Sequence, residues 1–161
     1  MVVDKTKQAK LGVGEKPEIP NMLTPVATLG AATSIMLASP IHRHVFLTEL
    51  EWLVVPAIGL GQIRVFHHET VPVAFATWGL LSAEVAARFK QGMGRLKPEE
   101  WQSGDELWLV ELCAPYGGVK NLLDDLVTTT FAGKIVNTIR PGPDGAGYQI
   151  STLEELANEA A

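Results

Sequence analysis

A single cysteine, Cys113, occurs in the 161 residues, so no disulfide can staple the chain from within. That usage fits a reducing compartment, and a cytoplasmic protein is expected. Long apolar runs are missing as well. The two best stretches, Met22–Ala38 and Leu50–Leu60, are cut by Pro25, Gly30 and Pro56 before reaching the roughly 20 residues that cross a bilayer. No integral membrane segment is expected. Residues 1–20 carry Lys5, Lys7, Lys10 and Lys16 but lack the apolar stretch of a secretory leader, so they read as a disordered polar arm ahead of one domain, 21–161. Basic residues are not in excess: 13 Lys and Arg stand against 18 Asp and Glu, a net charge of −5. A binder of nucleic-acid phosphates is thereby disfavoured. Arg88, Lys90, Arg95 and Lys97 do gather in one segment, which is either a solvated helix face or a dock for an acidic partner. No internal repeat is present. Metal-ligand spacing is absent too: His44, His67 and His68 have no cysteine or carboxylate at ligand distance in sequence, and the adjacent pair points to opposite sides of a strand.

What remains is a chain that is 47% hydrophobic and long enough for one real core. Thr24-Pro25 is a helix start, threonine as N-cap and proline in the first turn, and apolar residues then continue to Ala38. Ser39-Pro40 ends that helix, because the residue before proline is pushed out of the helical region, and His42 follows at the exit. Thr48–Glu51 fits a capping box, so a second helix is expected from about Glu49, bent or broken at Pro56. Alternation over Gln62–His67 and Pro72–Trp78 predicts an antiparallel hairpin. Ser82 caps a helix that ends before Gly92-Met93-Gly94.

Glu106–Ala114 is the most apolar strand and is expected at the centre of the sheet. Strict alternation puts Trp108, Val110 and Leu112 on one face and Leu107, Leu109, Glu111 and Cys113 on the other. A carboxylate inside such a strand is costly to bury unpaired. Glu111 is therefore either solvent-facing or bound to a cation or donor, for which His42 is a candidate. Ala114–Gly118 leads into a helix over about Val119–Phe131, and glycines at a helix start expose backbone N–H groups to an anion or oxyanion. Strands at Ile135–Arg140 and Tyr148–Ser151 and a terminal helix from Thr152 complete an α/β or α+β order, a sheet with helices on its faces.

Several separated motifs, in order and spacing, carry a resemblance: Ser39-Pro40-Ile41-His42-Arg43, Pro56-Ala57-Ile58, Gln62, Pro72–Trp78, Leu81-Ser82-Ala83-Glu84, Trp101–Asp105, Trp108 and Ala114-Pro115-Tyr116-Gly117. Over roughly Ser34 to Arg140 the chain resembles the RTX toxin-activating lysine acyltransferases. The resemblance implies a GNAT-like fold, a central mostly antiparallel sheet flanked by helices. It also implies transfer of a fatty acyl group from the phosphopantetheine thioester of acyl carrier protein, with no permanently bound cofactor, to lysine ε-amines of an RTX-type protoxin, and a possible homodimer. The family's catalytic histidine falls on His42. Its aspartate falls on Glu111, longer here by one methylene, and its asparagine in the second helix falls on Leu53. Ser39 matches the serine before the histidine motif, and Arg140 an arginine near the last strands that would meet phosphopantetheine or carrier, or else form a surface ion pair.

Deprotonating a lysine of pKa about 10.4 at pH 7 costs roughly 4 to 5 kcal/mol, so a base is needed. His42 serves either as that base, held by Glu111, or as a nucleophile giving an acyl-imidazole. Backbone N–H groups at Tyr116, Gly117 and Gly118 are candidate oxyanion donors. Cys113, inside an apolar strand, reads as core filler. Two other functions stay open: a weakened relative that only binds carrier or toxin, and an N-acyltransferase for another peptide or small amine.

Overall fold

The computed structural model describes residues 24–92 and 94–160; the expected polar arm, 1–20, lies outside them. Helix α1, Pro25–Ala38, starts where Thr24 Oγ1 accepts the Ala27 N–H at 3.2 Å, and it ends at Ser39, whose backbone is already extended ahead of Pro40. A single 3₁₀ turn, His42–His44, follows. The next helical stretch differs from the expectation. Glu49, not Glu51, reaches back to cap, its carboxylate accepting the Phe46 N–H at 2.8 Å, so Thr48 lies inside a 3₁₀ turn. Helices α2, Leu50–Leu53, and α3, Val55–Leu60, are separated at Val54, and Pro56 sits in the first turn of α3, where its missing N–H costs nothing. Gly61, at φ 68°, closes α3 in the left-handed conformation that glycine adopts without strain.

Strands β1, Ile63–His68, and β2, Val71–Leu81, form the expected hairpin; helix α4, Ala83–Phe89, is capped by Ser82. Strand β3, Glu106–Cys113, pairs antiparallel with β2. Helix α5, Val119–Asp125, runs on through a π turn, Leu126–Thr130. Strands β4, Asn137–Pro141, and β5, Tyr148–Thr152, precede helix α6, Leu153–Glu159. The sheet order is β1-β2-β3-β4-β5, with β3 central as expected; among the described strands β3 and β4 pair parallel and the other neighbours antiparallel. This is an open α+β sheet, mostly antiparallel and flanked by helices, consistent with a GNAT-like fold.

Two layers of helices cover the sheet. On one face α1 and α2 pack through Ala32, Ile35, Met36 and Leu53 onto Phe75 and Cys113, while α3 and α4 pack through Ala57, Val85, Ala86 and Phe89 onto Trp101 and Trp108. On the other, α5 and α6 cover Ala76, Leu107, Leu109 and Leu112. These memberships correct the strict alternation. Thr77 pairs with Glu111 and Trp78 with Leu109, which leaves Val110 as an extra residue opposite β2. A bulge of this kind puts two successive side chains on one side. Val110 and Glu111 therefore share the face of Trp108 and Cys113, and Leu112 joins Leu107 and Leu109 on the other.

Candidate active site

Three local features bring the site together. Pro40 stops α1, the bulge turns Glu111 toward α1, and Cys113 follows two residues later on the same face. The His42 ring lies across β3 between these last two. Its Nε2 is 3.1 Å from Glu111 Oε1, with the two side chains 12% and 26% exposed. Its Nδ1 is 2.8 Å from Ser39 Oγ and 3.5 Å from Cys113 Sγ. Ser39 Oγ also accepts the His42 backbone N–H at 3.3 Å, and the Leu112 N–H donates to Glu111 Oε1 at 3.2 Å. Ser39 and Glu111, two of the groups that touch the ring, are thus themselves held.

The Cys113 sulfur and the Glu111 carboxylate, accepting from the two ring nitrogens, push the His42 pKa up from 6.5 to about 10, although burial pulls the other way. At neutral pH the ring is an imidazolium. Beside it opens a cleft of about 410 Å³ lined by Ser39, Pro40, Ile41, Leu112, Pro115 and Val119 among others, an apolar wall with one cationic ring in it.

The remaining sequence candidates lie elsewhere. Tyr116 is exposed, Gly117 and Gly118 have left-handed backbones, and none of the three lines the cleft, although Pro115 and Val119 on either side of them do. The Gly117 N–H is already donated to the Ala114 carbonyl at 3.2 Å. Arg140 on β4 is bound through both terminal nitrogens to Glu159 of α6, Nη2 to Oε1 at 3.2 Å, which raises the guanidinium pKa and lowers that of the carboxyl. The basic segment is also partly spent: Arg88 grips Glu100 at 3.0 and 2.5 Å, and Arg95 stacks over Trp52. No group of three or more His, Cys, Asp or Glu residues that could hold a metal occurs among the described residues. Cys113, read as core filler, is 1% exposed and does fill the core, but its sulfur also meets the His42 ring, a contact that the alternation pattern did not signal.

Residues 21–153 match the sequence profile of the RTX toxin acyltransferase family. The chain belongs to this family. Among its relatives, a leukotoxin-activating lysine-acyltransferase of a Pasteurella haemolytica-like species (strain 5943B) is 35% identical over 98 residues, which is 61% of this chain and 59% of that one. The leukotoxin-activating lysine-acyltransferase of Mannheimia haemolytica serotype A11 is 32% identical over 72% of this chain and 69% of its own. A protein-lysine myristoyltransferase of Escherichia coli is 28% identical over 76% and 72%. The alignment to the first of these relatives thus spans little more than half of its length. As a family member the chain carries histidine and glutamate in contact at the end of the central strand, beside an apolar cleft.

Proposed function

We propose that the protein is a lysine acyltransferase that moves a fatty acyl group from the phosphopantetheine thioester of acyl carrier protein to internal lysine ε-amines of an RTX-type protoxin. Membership of the family supports the reaction class, and the relatives' names supply lysine acylation and toxin activation. The observation that carries the reading to particular residues is the His42–Glu111 contact at the edge of the apolar cleft. His42 would move the proton, Glu111 would orient the ring and stabilise its charge, and the apolar wall suits the first carbons of an acyl chain, each buried methylene contributing about 0.8 kcal/mol.

A protonated ring has no lone pair with which to attack the thioester, so the raised pKa of His42 supports proton transfer over an acyl-imidazole. A ring with pKa about 10 holds its proton about as tightly as a lysine amine does, so proton exchange between the ring and the reacting amine is nearly isoenergetic. The lysine ammonium first gives one proton to solvent; the neutral amine then adds to the thioester carbonyl, the imidazolium protonates the pantetheine sulfur as it departs, and the ring, now neutral, takes the second amine proton. The balance closes: the thioester C–S bond breaks, an amide C–N bond forms, one ammonium proton goes to solvent, a second ends through the ring on the thiol, and His42 is left as imidazolium again.

The test is intact-mass analysis of a lysine-bearing toxin segment incubated with acyl-loaded carrier protein. Wild type adds the mass of the acyl group, and His42→Ala lowers the rate at least about 100-fold while keeping its circular dichroism. Undiminished transfer by His42→Ala would remove the assignment.

A further inference from the structure

Nδ1 of His42 faces two heteroatoms where one hydrogen bond is available: Ser39 Oγ at 2.8 Å and Cys113 Sγ at 3.5 Å. An unprotonated Nδ1 has one lone pair and accepts from only one of them. A protonated Nδ1 can share its hydrogen between both. Cys113 also cannot retreat. It pairs with Phe75 across β2–β3 and is packed among Ala32, Ile35, Met36 and Phe75, so its sulfur is fixed relative to the strand that carries Glu111. Glu111 and Cys113 are two residues apart on one face of β3, about 7 Å along the strand, and the imidazole spans the interval with one nitrogen toward each.

We propose that Cys113 is a positioning residue for acyl transfer: its sulfur holds the Nδ1 edge of the His42 ring against β3, so that Nε2 stays on Glu111, and it shares the Nδ1 proton with Ser39. The groups that face the ring are Glu111 and Cys113 from β3 and Ser39 from the end of α1. On its own turn the neighbours are Arg43 and His44, both exposed, and on α5 Lys120 is turned to Asp124 at 2.9 Å. The sulfur is therefore the contact that a single substitution removes while every charged group stays. The raised pKa of His42, to which the sulfur contributes most, agrees with this role.

The inference rests on His42 moving the proton, and its test is built to fail separately from that reading. In the full chain, the His42 ring is titrated by NMR in wild type, Cys113→Ala and Cys113→Ser, and the pH dependence of acyl transfer is measured alongside. Cys113→Ala is expected to lower the His42 midpoint by about one pH unit or more and to move the alkaline limb of the rate profile the same way. Cys113→Ser, which restores an acceptor of similar size, is expected to recover most of the shift. An unchanged midpoint in Cys113→Ala, or a serine variant no closer to wild type than alanine, overturns the proposal. A shifted midpoint in a chain that transfers no acyl group upholds the positioning role and defeats the transferase reading instead.

Discussion

At the scale of single residues, the His42 charge is tied to the fold. Its pKa in the folded chain, about 10, lies above the unfolded value of about 6.5. The stabilisation it contributes is complete below pH 6.5, declines as pH rises and is gone once pH passes about 10. Urea unfolding of wild type and His42→Ala should therefore differ most near pH 6 and converge near pH 10; a difference that grows with pH would contradict this. Thr77 offers a second check. It is fully buried opposite Glu111, and its hydroxyl finds no hydrogen-bond partner among the described residues. Thr77→Val, which keeps the shape and removes an unsatisfied group, should be neutral or stabilising by about 1 kcal/mol in the same assay. A loss of transfer in that variant without a loss of stability would instead assign the hydroxyl to the reaction. From the residues alone Glu111 was either solvent-facing or paired, and it was the family resemblance that put His42 and Glu111 together, a contact that the structure shows. The Cys113 contact was not legible, since a cysteine in such a strand satisfies the pattern of a core residue completely.

At the scale of elements, the bulge at Val110 decides which face Glu111 occupies. The apolar composition of β3 pointed to the centre of the sheet, but alternation assigned Val110 and Leu112 to one face with Trp108, and no residue type in Glu106–Cys113 marks the extra position. Helix starts fared differently. Thr24, Ser82 and Thr152 cap α1, α4 and α6 through their own hydroxyls, as their sequence positions imply, whereas Glu49 took the capping role expected of Glu51 because Phe46 is already extended. The turn Trp101–Asp105 is held against the β2–α4 junction: Ser103 N–H and Gly104 N–H both donate to the Leu80 carbonyl, at 2.8 and 3.1 Å. A Cβ at Gly104 would come within 2.5 Å of Ser82 Cα and 2.6 Å of the Leu81 carbonyl oxygen, both backbone atoms with little room to move. Gly104→Ala should cost about 2 kcal/mol or more, read as a lowered denaturant midpoint. An unchanged midpoint would mean that the turn is not packed as described.

At the scale of the whole molecule, one sheet carries the apolar clusters on both faces, and the clusters beneath α1–α2 and α3–α4 share Ile63. The cleft opens where the C-terminal end of β3 and the nearby start of α5 meet the Ser39–His42 turn, so two stretches far apart in sequence must be in place before His42 and Glu111 can touch. The fold class was legible from the order of elements. The parallel pairing of β3 with β4, Trp108 with Asn137, was not, because strand order depends on where α5 returns the chain. In the proposed reaction His42 and Glu111 act as one unit in acyl transfer. A double-mutant cycle tests it most directly: transfer rates from acyl carrier protein to a toxin lysine are compared for His42→Ala, Glu111→Gln and the double variant. If the two act together, the double variant is no slower than His42→Ala alone; losses that multiply would show two independent contributions and contradict the claim.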